Sequence, residues 1–529
     1  MELHGKNIIG GKAVASNNAK TFNSIAAATG EKLAPVFHKA TPEQADEAVA
    51  LATKAFEEYR RLPAEKIAEF LNRIAEEILK LGDALIQRAS VETGLPEARL
   101  VGERGRTVNQ FKMFAELVRD GSWLEATIDR AQPDRKPLPK VDLRRMLVPL
   151  GPVVVFGASN FPLAFSVGGG DTASALAAGC PVIVKAHSAH PGAGEMVGHA
   201  IQAAIEATGM PNGVFAMVHG DGTEIGMRLV TNPGTKAVGF TGSTAGGRAL
   251  FDAACKRPEP IPVFAEMGSV NPVFILPHAL KKNGKTIAEG LAQSITLGVG
   301  QFCTNPGLAF GRQSDEWTSF VQRVGEVAST VAPGVMLHPG INASFHKGTE
   351  RMGSVAGVRV AGKSSGEAPQ NRAPAMIFNT DSKTFQEQHV LREEVFGPAS
   401  LLVNCGSKEE LEQIARSMAG QLTATIHGTE EDLAEHAGLV AILREKAGRL
   451  IFNQFPTGVE VCPSMQHGGP YPATTDSRFT SVGTYAIKRF VRPVAFQNFP
   501  DSALPSELKN KNVRGIWRIL DGKFTKDDV

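Results

Sequence analysis

Between residues 41 and 118 apolar side chains recur at helical spacing. Thr41 is a good capping residue, Pro42 suits a first helical turn, and Ala48, Leu51, Ala52 and Ala55 then fall on one face. A second helix is expected over 64–81 and a third over 97–118. Residues 119–150 change character. Pro133, Pro137 and Pro139 stand among alternating charges, before a strand-like run from Val141 to Val148, which predicts a projecting hairpin arm. From 151 to 256 short β-branched runs at 153–156, 181–185, 214–219 and 237–241 alternate with helices at 171–179 and 191–208. That alternation predicts an α/β fold, a parallel sheet covered on both faces, with ligands bound beyond the carboxyl ends of its strands. A second alternating block follows at 262–480, then a strand at 485–494 and a polar tail.

A chain of 529 residues accommodates two or three domains and needs no disulfide or metal staples. Its net charge of +2 gives no reason to expect nucleic acid or a membrane surface as partner. The five cysteines are scattered and none forms a CxxC pair, so no metal site is expected and a reducing, cytoplasmic setting fits. The opening residues lack the apolar core of a signal peptide, and no apolar run approaches the roughly 18 residues of a membrane span.

Four places carry candidate chemistry. Gly242-Ser243 follows a strand and opens a helix, an arrangement that suits a pyrophosphate but also serves as an ordinary turn. Cys303 falls just past an apolar helical stretch at 287–299; a cysteine there is either a nucleophile or an apolar filler. Glu266 ends a short strand, as a general base or a solvated terminus. Asn160 follows the 153–156 strand, where its amide can meet a developing oxyanion or merely shape the turn.

Taken together, SNFPLA at 159–164, FTGST at 240–244, AEMGS at 265–269, GQFC at 300–303 and EEVFGP at 393–398 resemble the aldehyde dehydrogenase superfamily in order and spacing over nearly the whole chain. The resemblance implies a Rossmann-type cofactor domain (1–121 and 149–262), an α/β catalytic domain (263–482), and a small β oligomerisation arm with a C-terminal tail (122–148 and 483–529). It implies that Cys303 is the nucleophile. Asn160 and the Cys303 backbone N–H would form the oxyanion hole, and Glu266 would activate water against a thioester. Lys185 would meet the adenosine ribose, Gly242 and Ser243 the pyrophosphate, and Glu394 with Phe396 the nicotinamide end of NAD or NADP. Burial is expected to raise the Glu266 pKa. A homodimer or homotetramer is implied as well.

Three departures stand out. The family's ELGGK reads Glu266-Met267-Gly268-Ser269-Val270, its Trp before the oxyanion Asn is Ser159, and its NAD-preferring Glu three residues after Lys185 is Ser188. A neutral Ser188 leaves Lys185 free to pair with a 2′-phosphate, so NADP is the expected preference. The stretch 463–485, with 102–107 and 185–188, is similar to the branch that oxidises α-ketoglutaric semialdehyde (2,5-dioxopentanoate) to 2-oxoglutarate. An anionic substrate calls for a fixed cation. Arg106 is the candidate, with Phe161 and Phe455 lining the tunnel, although a surface ion pair would equally occupy an Arg. A dehydrogenase for another aldehyde, a CoA-acylating or phosphorylating enzyme, and a non-catalytic protein on the same fold are the alternatives.

Overall fold

The computed structural model describes residues 2–366 and 368–529; Met1 and Glu367 lie outside them. The three expected helices form at Pro42–Tyr59, Ala64–Lys80 and Glu97–Asp120. Thr41 and Gln44 cap the first reciprocally, each side chain meeting the other's backbone N–H. Apolar spacing missed a fourth helix, Gly82–Thr93. It follows its predecessor almost directly, and Gly82, at φ 57°, turns the chain sharply through left-handed backbone.

Seven strands form the first sheet, in the order Val263–Glu266, Ala237–Thr241, Val153–Phe156, Val182–Lys185, Phe215–Val218, Asn7–Ile9 and Lys12–Val14. The first five run parallel. Helices cover both faces, so the central strands are buried and read as continuous apolar runs. From Val153–Phe156 the chain moves outward through two strands, then returns to pair on the other side with Ala237–Thr241. This reversal opens a crevice at the carboxyl ends of those two neighbouring strands. The segments carrying Asn160 and Ser243 leave the sheet there.

The second sheet also has seven strands, in the order Arg359–Lys363, Met376–Asp381, Ala399–Cys405, Leu308–Arg312, Val273–Ile275, Gln421–His427 and Ala447–Phe452. Only Arg359–Lys363 is antiparallel.

The arm is a five-stranded sheet to which the chain returns at its end. Val491–Gln497 pairs with Leu143–Pro149, which pairs with Thr127–Asp129; Arg518–Leu520 and Lys523–Thr525 complete it. The strand expected at 485–494 therefore starts late, because Thr484–Phe490 is a 3-10 helix. Ala486, Ile487, Arg489 and Phe490 are all buried, a sequence of inward positions that a strand with alternating faces does not permit. The polar tail also folds, sinking Leu504, Leu508 and Ile516 beneath the arm. Among the described residues no helix is long and apolar enough to cross a membrane.

Glu92, at the end of the unexpected helix, ties three parts together. Its carboxylate accepts the Ser24 hydroxyl at 2.7 Å and the Gly192 and Ala193 N–H groups at 2.9 Å, and it pairs with Arg88 at 2.9 Å. Glu92→Leu strands these buried donors and is expected to cost about 3 kcal/mol. Hydrogen exchange should report it as lost protection in the first turn of Pro191–Thr208, and full protection there would refute the account.

Candidate active site

Cys303 reaches its position through an irregular turn. The Pro277–Thr296 helix ends, and Gly298, Val299 and Gly300 follow with φ of 56°, 59° and 63°. A β-branched residue at positive φ is a strained arrangement that the surroundings must enforce. Here the enforcement is visible. A Cβ at Gly300 would stand 2.3 Å from the Gly397 backbone, and Asn305 Nδ2 donates to the Gly397 carbonyl at 3.1 Å. Asn271 Nδ2 donates to the carbonyls of Cys303 and Asn305 at 2.9 and 3.0 Å.

A cavity of about 630 Å³ occupies the crevice of the first sheet and reaches the 338–344 and 394–396 segments of the second block. Cys303, Glu266 and Asn160 all lie on its wall. So do Lys185, Gly242, Ser243, Glu394 and Phe396, which are drawn from segments up to 211 positions apart in the chain (185 to 396). Asn160 Nδ2 donates to the Gln301 carbonyl at 3.2 Å, which brings its amide beside the Cys303 loop. The Cys303 N–H has no hydrogen bond among the described residues, leaving it as a second donor.

The cavity suits an anionic dinucleotide. Ser243 caps the Thr244–Cys255 helix by accepting the Gly246 N–H at 3.2 Å, so that helix start faces the cavity. Burial pushes the Lys185 ammonium down to about 8, and Asp221, whose charge opposes this, is paired with Lys39 at 2.7 Å. The buried ammonium is thus left without a carboxylate partner among the described residues. Glu394 is exposed on the cavity wall, and desolvation by the surrounding protein pushes its carboxyl up to about 7. Room for that carboxylate exists because residue 268 is glycine; a Cβ there would stand 2.4 Å from Glu394 Oε2.

Sequence reasoning missed His467. Its Nε2 lies 2.9 Å from Glu266 Oε1 and 3.4 Å from Cys303 Sγ, and Ser481 donates to Glu266 Oε2 at 2.5 Å. Both residues belong to the 463–485 stretch, which passes over the end of the Glu266 strand, where the Met267 N–H donates to the Ala473 carbonyl. That stretch is distinctive in composition, but nothing in it points at position 266. The expectation of a raised Glu266 pKa is overturned. Burial does push it up, but the charge and hydrogen bond of His467, with Ser481 and Cys303, hold the carboxyl below its ordinary value. The Cys303 thiol is pushed up, first by burial and then by the Glu266 carboxylate, against the opposing pull of Arg106. Glu266, Cys303 and His467 offer ligand atoms within 4.8 Å of one another, so the same trio could hold a divalent ion at the nucleophile's expense.

Arg106 is half-buried, its guanidinium 5.7 Å from the Phe161 ring centre and 5.1 Å from that of Phe165. Its Nε and Nη2 have no hydrogen-bond partner among the described residues. It lines a second cavity, of about 830 Å³, with Asn109, Glu116, Glu460 and Cys462. Phe161 packs against this guanidinium but, like Phe455, lines neither cavity. Phe455 does not line either cavity: it packs against Gly290 and His427 at the edge of the second sheet. Ser188 is exposed at the turn after its strand, and His187 takes the cavity wall instead.

Residues 13–492 match the aldehyde dehydrogenase family. The chain belongs to that family. It is 51% identical over 526 residues to alpha-ketoglutaric semialdehyde dehydrogenase 2 of Azospirillum brasilense, covering 99% of this chain and 100% of that protein. It is 45% identical over 529 residues to alpha-ketoglutaric semialdehyde dehydrogenase of Acinetobacter baylyi, with 99% and 100% covered. Among solved structures, betaine aldehyde dehydrogenase of Staphylococcus aureus in complex with NAD+ superposes with a TM-score of 0.80 at 19% identity, covering 94% of this chain and 95% of that one. A 3,6-anhydro-L-galactose dehydrogenase gives 0.80 at 22%, covering 93% and 99%. The fold is therefore that of an aldehyde dehydrogenase, and the chain is an oxidoreductase.

In an aldehyde dehydrogenase built this way, burial and, after it, Glu266 disfavour the Cys303 thiolate. Glu266→Gln removes a negative neighbour while burial and Arg106 stay. The pH profile for alkylation of Cys303 by iodoacetamide is expected to move to lower pH; an unmoved or raised profile would contradict the assignment.

Proposed function

We propose that this enzyme oxidises 2,5-dioxopentanoate to 2-oxoglutarate, with Cys303 as nucleophile, Asn160 as oxyanion donor and Glu266 as the base that activates water. The convergence of these three groups on one cavity with an unpaired Lys185 carries the reading. Two relatives at 51% and 45% identity, each named for this semialdehyde, support the substrate.

Cys303 adds its sulfur to the aldehyde carbon, and the oxygen becomes an oxyanion. The Asn160 amide and the Cys303 N–H donate to it, an effect worth roughly 3 kcal/mol per donor in comparable sites. Loss of hydride from the same carbon gives the thioester; Lys185, Gly242-Ser243 and Glu394 would hold the dinucleotide, whose nicotinamide would supply the hydride acceptor that side chains lack. Water then attacks the thioester carbon, and the C–S bond breaks to return the Cys303 sulfur. Glu266 takes the water's proton, and the low pKa set by His467 and Ser481 keeps the carboxylate ready to do so. His467, touching both sulfur and carboxylate, can pass a proton between them. A carboxylate in this place favours water over CoA or phosphate as the resolving nucleophile.

NADP is the preferred cofactor in this reading, supported by the unpaired Lys185 and the absence of an acidic residue at 188. The reading also keeps the division into cofactor domain, catalytic domain and arm. It further includes self-association through the arm as a homodimer or homotetramer, with a cytoplasmic location.

Two measurements test the proposal. The ratio of kcat/KM for the two cofactors should favour NADP, and a ratio favouring NAD would remove that part. Arg106→Ala should raise KM for the semialdehyde roughly 30-fold, the loss of about 2 kcal/mol from a charge-assisted contact. KM for a neutral aldehyde of equal length should barely change. Equal shifts for both aldehydes would take Arg106 out of substrate binding.

A further inference from the structure

We infer that one face of the Glu97–Asp120 helix, through Arg99 and Glu103, sets the oxyanion loop in register with the nucleophile loop, which makes these two residues positioning residues for the reaction. The inference rests on the reading of Asn160 as oxyanion donor.

The two residues stand four apart, one turn along the same helical face, with Arg106 three further on. Each grips the 159–165 segment at a different point. Glu103 Oε1 accepts the N–H groups of Leu163 and Ala164 at 2.8 and 3.0 Å. Arg99 Nη2 donates to the carbonyl of Asn160 itself at 2.8 Å. The same guanidinium lies over two rings, 5.0 Å from the centre of Phe161 and 4.8 Å from that of Phe302. Phe161 follows Asn160, and Phe302 precedes Cys303. One side chain thus touches the neighbours of both reacting groups. Residue 298 is glycine where Arg99 passes; a Cβ there would stand 3.1 Å from Arg99 Nη1.

Burying two charges is costly unless a polar framework uses them. Glu103 is 5% exposed, and the hydrogen bonds that its carboxylate and the Arg99 guanidinium make all go to the oxyanion loop. A helix surface that merely needed filling would be served by apolar residues. Loops carry little rigidity of their own, and a displacement of about 1 Å at the reacting centre costs on the order of 100-fold in rate.

The test is a double-mutant cycle on the full chain with its cofactor. Arg99→Met is expected to lower kcat about 100-fold with cofactor affinity unchanged, and Arg99→Lys to recover part of it. In an Asn160→Ala background the same Arg99→Met change is expected to cost no more than about threefold, because the group it positions is gone. An equal loss in both backgrounds overturns the inference and leaves the role of Asn160 standing. Wild-type kcat in the Asn160→Ala enzyme overturns both. Where Arg99→Met does not yield folded enzyme, Glu103→Gln enters the same cycle. It keeps an acceptor oxygen but removes the charge. It is expected to cost about tenfold when Asn160 is present and little in the Asn160→Ala background, and equal losses again overturn the inference.

Discussion

At Gly300 the chain comes so near the backbone of Gly397 that no side chain fits between them. This contact joins two loops nearly a hundred residues apart and puts the Cys303 turn against the segment that carries Glu394. The strained backbone from 298 to 300 is the local cost of that approach, offset by the Asn271 and Asn305 amides that tie the turn to its surroundings. Without it Cys303 would stand at the end of a helix in the second block, with no fixed relation to the crevice of the first sheet.

The electrostatics follow from that closure. Cys303, Glu266 and His467 stand within reach of one another with the Arg106 charge nearby, so the protonation of Cys303 and of Glu266 depends on these neighbours as well as on burial. His467 and Ser481 hold the Glu266 carboxyl below its ordinary value despite burial, and burial first, then Glu266, pushes the Cys303 thiol up. A nucleophile stored as a thiol resists oxidation and alkylation until a bound partner shifts the balance. Burial alone predicts the opposite state for the carboxylate. The expectation of a raised pKa fails because it counts desolvation and has no access to the neighbours.

One cavity holds Cys303, Glu266 and Asn160 on its wall, and Arg106 lines another, with its guanidinium 5.7 Å from the Phe161 ring centre. The helix that carries Arg106 also carries Glu103 and Arg99. Substrate selection and alignment of the oxyanion loop are in this view properties of one rigid element, which suits an enzyme that must hold a flexible aldehyde beside a loop-borne amide.

Much of this was legible in the residues. Strands and helices of the first block follow from β-branched runs and capping signals, because parallel strands buried on both faces must be apolar. The five family motifs mark Asn160, Glu266, Cys303 and Glu394, because backbone turns beside a reacting centre tolerate few residue types. The helix at Gly82–Thr93 was not legible, since a single left-handed glycine carries the break. Neither was the strand pairing of the polar tail, since its partners lie near residue 127. The partnership of His467 and Ser481 with Glu266, about two hundred positions apart, and the displacement of Phe455 and Ser188 from the cavity wall, were equally hidden. Residue order determined which chemistry the chain could perform and which local elements would form, because propensity and periodicity are short-range. Only the tertiary structure decided which charges face each other and which way each carboxyl leans, because those depend on through-space distances that no local pattern encodes.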